Sequence, residues 1–390
     1  MSIRVAFSVI GGPHQVFHIV PVAATLSLAM PEAKIFVFAS DERSLELAEQ
    51  AASFYPGAYL RYRLLRRSSL GDMAAGLWRH SSLAKIPLLW RNRRLFNTFD
   101  VIVVAECTST ILRRMGVNRP RLFCIPHGAG DRAVSFETRF RRFDRIGVAG
   151  EKTAERMIES HVRPESVKIV GYPKGDLIRR MSVKPVRLFD NARPTVLYNP
   201  HFKRKLSSLH HAREIVRAFA ADGRFNLIVA PHIRVFDDAS ARILAEWAAM
   251  SVPDRIMVDT GTDRLFDMSY CVSADIYLGD ISSQVYEFLF RPRPCVFLNS
   301  HGVNWTESPD YAFWRLGEVV DPAHVIGAIE RAQSIHAQYL PAQRLAVSMT
   351  FAQFDDPCGQ AAREIISCAA EPATHEPRWG APNSATLAAV

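Results

Sequence analysis

The chain has 390 residues, enough for two ordinary domains, and its 48% hydrophobic and 22% charged residues are those of a globular protein. No apolar run approaches the ~18 residues of a membrane span, and the N-terminus lacks a full signal-peptide core and cleavage site. A formal charge of +9 points to an anionic partner: a nucleotide, a nucleic acid or an anionic lipid surface.

The first strand-like run, near 3–10, ends in Gly11-Gly12-Pro13-His14 and leads into a helical pattern near 17–29 that begins at Phe17-His18. Glycines here let the backbone turn tightly or approach a ligand. A histidine in such a loop can take a proton from a hydroxyl, since its ordinary pKa is near 6.5. His14 and His18 are therefore candidate acceptor-side bases. Strands near 34–39, 100–105, 121–125, 144–148 and 167–170 follow, with helical patterns near 42–51, 107–115 and 151–160. Residues 61–94 carry Arg61, Arg63, Arg66, Arg67, Arg79, Lys85, Arg91, Arg93 and Arg94 against one acid, Asp72, interleaved with Leu, Met and Trp. That mixture suits a helix pair with a solvated basic face or a segment lying on an anionic membrane surface. It carries no recognisable nucleic-acid-binding motif. The strand at 121–125 runs into Pro126-His127-Gly128, where a histidine has few helix or strand neighbours to pack on.

After a join at 172–194, a second series begins. Its strands lie near 195–199, 225–230, 255–258, 275–279 and 294–298, and its helices near 208–221, 238–250, 263–273 and 282–290. The first of these strands ends in Asn199-Pro200-His201-Phe202-Lys203-Arg204-Lys205, three cations that suit either a phosphate or solvent. The second ends in Pro231-His232, and the fourth in Gly279-Asp280-Ile281-Ser282-Ser283. Unpaired N–H groups at a helix start can seat phosphate, and the serines either add donors or cap the helix. Helical patterns near 322–338 and 341–368 close the chain, and the Ala/Pro-rich tail 371–390 reads as disordered. The six cysteines show no CxxC spacing and read as reduced core thiols.

Continuous Val/Ile/Leu strands between helices argue for parallel sheets covered on both faces. The expected fold class is α/β: GT-B, two doubly wound Rossmann-like parallel-sheet domains facing a central cleft. The expected division is 1–180 for an acceptor domain, 190–335 for a donor-nucleotide domain and 336–370 for closing helices. In such sheets ligands bind beyond the carboxyl ends of the strands, where the histidines and serines above fall.

His127-Gly128, Pro231-His232 and Gly279-Asp280-Ile281-Ser282-Ser283, in that order, resemble the CDP-glycerol glycerophosphotransferases that extend teichoic acids. Phe143–Glu151 and Val170–Asp176 resemble the same family, so the similarity covers roughly 120–300. The chain departs from the family pattern at Ile281, where the family has Tyr. It also has Pro before His232 rather than after it, and Asp131-Arg132 where the family tends to carry Lys. The resemblance implies attack of an acceptor hydroxyl on the alcohol-bearing phosphorus of a CDP-activated donor, with release of CMP. It makes His127 and His232 the catalytic pair, one as base and one stabilising the leaving phosphate, without assigning which. Gly128, Asp280, Ser282, Ser283, Pro200, Lys203 and Arg204 would bind donor phosphate or nucleotide. The implied acceptor is a glycan or lipid-linked hydroxyl in cell-envelope biosynthesis, and the expected location is the cytoplasm, either free or peripheral on the inner face of the cytoplasmic membrane. No cofactor is expected, and no clustered metal-ligand pattern requires a metal. Alternatives are a GT-B glycosyltransferase using a nucleotide sugar, an epimerase on the same architecture, and a non-catalytic membrane-associated scaffold.

Overall fold

Thirteen strands among the described residues form two sheets, and every pairing within them is parallel. The computed structural model describes residues 2–67, 85–131, 138–182, 185, 187–237 and 239–371. The first sheet holds β1 (Arg4–Val9), β2 (Lys34–Ala39), β3 (Arg61–Leu64), β4 (Val101–Val104), β5 (Arg121–Cys124), β6 (Arg145–Val148) and β7 (Val167–Ile169). Its order is β3-β2-β1-β4-β5-β6-β7. The second holds β8 (Thr195–Asn199), β9 (Asn226–Val229), β10 (Ile256–Val258), β11 (Ile276–Gly279), β12 (Cys295–Leu298) and β13 (Glu318–Val320). Its order is β10-β9-β8-β11-β12-β13. The chain therefore has the two doubly wound domains expected of it.

The central strands are buried on both faces because helices cover both faces, which is why they read as unbroken apolar runs. Each sheet reverses its winding once, between β1 and β4 in the first and between β8 and β11 in the second. Loops diverge at such points and leave a crevice beyond the strand ends. One apolar cluster runs from Val5, Phe7 and Val9 through Tyr172 and Phe351 to Tyr277 and Phe288, so the two domains share a core where they meet.

Several elements differ from the sequence expectation. Arg61–Leu64, the start of the basic stretch, is an edge strand paired with β2. Its outer residues, Arg63 and Leu64, are exposed because one side of an edge faces water. The three-residue edge strand β13 has no readable period. Residues Thr108–Met115 form a 3-10 helix rather than an α-helix. The pattern at 282–290 yields an α-helix of only five residues, Gln284–Phe288. The closing pattern at 341–368 splits into His336–Thr350 and Pro357–Ala370, with Asp356 capping the latter through the Gly359 N–H. Residues 68–84 of the basic stretch, Arg132 and the tail from 372 lie outside the described residues. All six cysteines are free thiols, five of them buried. Among the described residues, no helix is long and apolar enough to cross a membrane.

The chain crosses between domains twice. It leaves the first through Tyr172 and the helix Pro173–Arg180. It returns through Phe351–Asp356, after which Pro357–Ala370 packs on the helix Val16–Ala29. The crossings touch: a Cβ on Gly171 would lie 2.9 Å from the Phe354 ring and 3.0 Å from Pro357. The Ala352 N–H also donates to the Ala149 carbonyl at 2.8 Å.

Candidate active site

Loops from both reversal points converge on a cavity of about 350 Å³ lined by residues of both domains. From the first domain come His14 after β1, Glu106 after β4, His127 and Gly128 after β5, and Lys85 and Arg139. The second contributes Phe202 after β8, and His232 and Arg234 after β9. His14 and His127 are 5.0 Å apart between ring centroids, and His18 lies 6.5 Å from His127. On the opposite wall His232 lies 4.7 Å from the Phe202 ring. Four histidines of the sequence reading thus gather at the cleft, although they are separated by up to 218 residues in the chain (232 − 14).

The two histidines of the expected catalytic pair carry opposite hydrogen-bond patterns. His127 Nδ1 lies 2.5 Å from the Ala105 carbonyl oxygen. A carbonyl only accepts, so Nδ1 carries the proton and Nε2 of the neutral ring keeps its lone pair. His232 Nδ1 accepts from the Arg234 backbone N–H at 3.2 Å. Its neutral ring therefore carries the proton on Nε2. One ring offers an acceptor and the other a donor.

All four rings are held neutral at neutral pH. Burial lowers the His232 pKa to about 3, with Arg234 and His127 adding to the effect. Burial, then the neighbouring histidines and Lys85, hold His14 well below 6.5. Burial and then Lys174 and His127 do the same for His18. His127 is open to the cavity but enclosed by both domains. That enclosure lowers its pKa, partly opposed by Ala105 and Glu106. His18 is 5% exposed, its ring 5.6 Å from Tyr172, and its Nδ1 has no hydrogen-bond partner.

Charge at the cavity is lopsided. Among the described residues, Lys85, Arg139 and Arg234 line it with one carboxylate, Glu106, and Arg234 also lies 3.6 Å from Asp237. Glu106 accepts from the Ser109 N–H and hydroxyl and from the Thr108 N–H, and sits 3.9 Å from Lys85. Burial works to raise the Glu106 pKa, but Lys85 and these bonds outweigh it, and the net direction is down. Burial lowers the Lys85 pKa, Glu106 opposes this, and Arg234 and Arg139 add to it. A chamber holding mutually repelling cations is built for an anion. Lys85, Glu106, Arg139 and Arg234 escaped the sequence reading as site residues. Glu106 and Arg234 lie just past strand ends, so position alone could have flagged them.

The Asp280–Ser283 turn divides into two parts. Asp280 is 1% exposed. Its carboxylate accepts from the backbone N–H groups of His201, Ser208 and Ile281 and from the Ser208 hydroxyl. Burial raises its pKa against these bonds. Asp280 thereby fastens the loop after β8 to the end of β11. Ser282 is buried and its Oγ accepts from the Gln284 N–H at 3.4 Å. Ser283 meets the first domain: a Cβ on Gly128 would stand 3.0 Å from the Ser283 Oγ. Gly128 has φ +84°, a conformation that favours glycine. His127-Gly128 and Ser283, expected on facing domains, do come together. Pro200 is buried and its carbonyl accepts from the His232 N–H at 2.9 Å. Lys203 and Arg204 are exposed, outside the histidine cavity.

The short helix Gln284–Phe288 is clasped by the first domain on both sides. Tyr286 donates to Asp131 at 2.6 Å, and Lys152 pairs with Asp131 at 2.8 Å while lying over the Tyr286 ring. Glu287 pairs with buried Lys174 at 2.7 Å and accepts from Tyr172.

No protein-family model matches this sequence, and no curated protein does. Solved structures of similar shape are numerous. The wall teichoic acid polymerase TagF with CDPG superposes with a TM-score of 0.60 at 11% identity, over 94% of this chain and 88% of that one. UDP-GlcNAc 2-epimerase from Neisseria meningitidis bound to UDP-GlcNAc gives 0.56 at 11%, over 94% and 99%. The calicheamicin glycosyltransferase CalG4 gives 0.56 at 14%, over 94% and 98%. At such identities the likeness concerns the fold, and the fold is GT-B.

Proposed function

We propose that this protein transfers an alcohol-phosphate group, most simply glycerol phosphate, from a CDP-activated donor to a hydroxyl of a glycan or lipid-linked acceptor. The observation that carries the proposal is the complementary pair His127 and His232 on one cation-rich cavity. His127 Nε2 takes the proton of the acceptor hydroxyl as its oxygen attacks the phosphorus bearing the alcohol. The bond from that phosphorus to the bridging oxygen breaks, and CMP leaves. The His232 Nε2–H donates to a phosphate oxygen while Arg234, Lys85 and Arg139 balance the diphosphate charge. Ser283, beside Gly128, and Ser282 contribute hydroxyls on the donor side, and Asp280 positions the turn that carries them. The donor seen with the TagF neighbour, CDPG, supports this reading.

A nucleotide-sugar glycosyltransferase is the second reading, favoured by His14 in the same cavity and by the CalG4 and epimerase neighbours. A thermal-shift panel with CDP-glycerol, CMP, UDP and UDP-sugars separates the two. Stabilisation by UDP compounds alone would sink the phosphotransferase reading, and no shift with any nucleotide would leave the non-catalytic scaffold.

The same proposal places the protein against an anionic membrane. Trp90 is 52% and Leu64 44% exposed, beside exposed Arg63, Arg66, Arg67, Arg91 and Arg94. Such a surface suits lipid headgroups and the interfacial boundary. Salt-sensitive binding to anionic vesicles is expected. Binding unchanged by neutral replacements of these arginines would refute it.

A further inference from the structure

A second concavity, about 1120 Å³, opens beside the histidine cavity, and Phe202 and Arg234 belong to both. It is built from second-domain residues alone, so it is complete whatever the first domain does. One wall is apolar and largely aromatic, with Phe236 and Trp247 packed edge to face at 5.4 Å. Ile243 leaves 38% of its surface uncovered beside them. The opposite rim carries Arg204 and the His210 and His301 rings, 5.3 Å apart, and Asp237 also lines the concavity, 3.6 Å from Arg234. The shared partition is a stack: the Arg234 guanidinium lies 4.5 Å over the Phe202 ring, and that ring lies 4.7 Å from His232.

This arrangement fits a ligand with a flat aromatic body and an anionic tail. The body stacks against Phe236 and Trp247, as bases do on aromatic side chains. The tail runs past Arg234 into the histidine cavity, where among the described lining residues Lys85, Arg139 and Arg234 outnumber Glu106. A plain saccharide could use the aromatic wall but would bring no anion to Arg234 and the cations beyond it. The geometry points to this concavity as the seat of the donor's nucleoside, with Arg234 holding the phosphate next to it. This rests on the nucleotide-donor reading above and adds the residues that grip the base. Phe236 and Trp247 do not touch the reacting atoms. They are specificity residues.

Calorimetric titration of the full-length protein tests it, with CMP, UMP, AMP and inorganic pyrophosphate as probes. Trp247→Ala should weaken CMP at least tenfold and leave pyrophosphate within twofold of the unaltered protein. Ile243→Arg alters an already exposed position and fills the concavity without unpacking a core. It should weaken CMP to a similar degree, which guards against misfolding of the tryptophan variant. CMP binding retained in both variants would overturn the seat while leaving the donor reading intact. Failure of the unaltered protein to bind any of the three nucleotides would overturn both.

Discussion

Asp280 and His127 both sit in loops just past the end of a parallel strand, one in each domain, yet their surroundings are opposite. The Asp280 carboxylate is surrounded by donors from His201, Ser208 and Ile281, and it is sealed from water. The His127 ring uses one nitrogen to anchor itself on Ala105 and turns toward an open cavity. A polar group whose hydrogen bonds are all made within the chain holds structure. One that faces a cavity with an unfilled lone pair is equipped to act on something else. The two therefore make different predictions.

The largest effect is expected at the open side. His127→Ala should lower kcat by about 100- to 10,000-fold, the usual worth of a general base, with donor affinity little changed. CMP release under saturating CDP-glycerol measures it, and full turnover would remove His127 from the chemistry. Asp280→Ala should act on stability, because it strands several buried donors at about 1–3 kcal/mol each. Urea denaturation should register a loss of about 3 kcal/mol or more. A variant that unfolds normally but no longer binds nucleotide would make Asp280 a ligand group and erase the contrast. Gly128→Ala should cost about 1–2 kcal/mol through its left-handed backbone, and it presses on Ser283 as well. Its signature is a fall in kcat exceeding the fall in stability. Tyr286→Phe removes one buried hydrogen bond to Asp131, about 1 kcal/mol, and should leave kcat nearly unchanged.

A further test is in pH. The folded-state pKa of His232 is depressed, so below pH 6.5 the unfolded chain binds more protons there. Its stabilising contribution is present above 6.5 and is lost as pH falls from 6.5 toward about 3. His232→Asn should flatten that part of the stability profile, as thermal melts across the window would reveal. An unchanged profile would mean that His232 is not held neutral.

Much of the fold was legible because strands buried on both faces carry their signature openly, as in Val101–Val104 and Asn226–Val229. The edges were not. Arg61–Leu64 alternates polar and apolar residues over only four positions, inside a longer run of Arg and Leu that hides it, and Glu318–Val320 is too short for any period. The histidines and Ser283 were legible because they follow strand ends in sequence. Lys85 and Arg139 were not, because only the folded chain brings them to the cavity. Asp280 was expected to orient its turn, but a sequence cannot say that Ser208 and His201 are the groups it holds. Ser282 and Ser283 share a turn, and only coordinates separate the one whose Oγ accepts from Gln284 from the one at the domain boundary.

The paired crossings at Tyr172 and Phe354 have a mechanical consequence. A single linker is a swivel and lets one body rotate in any sense about the other. Two strands pinned side by side define an axle. The two crossings thus hold the domains against free rotation, and that restraint keeps His127 and His232 on the walls of one cavity.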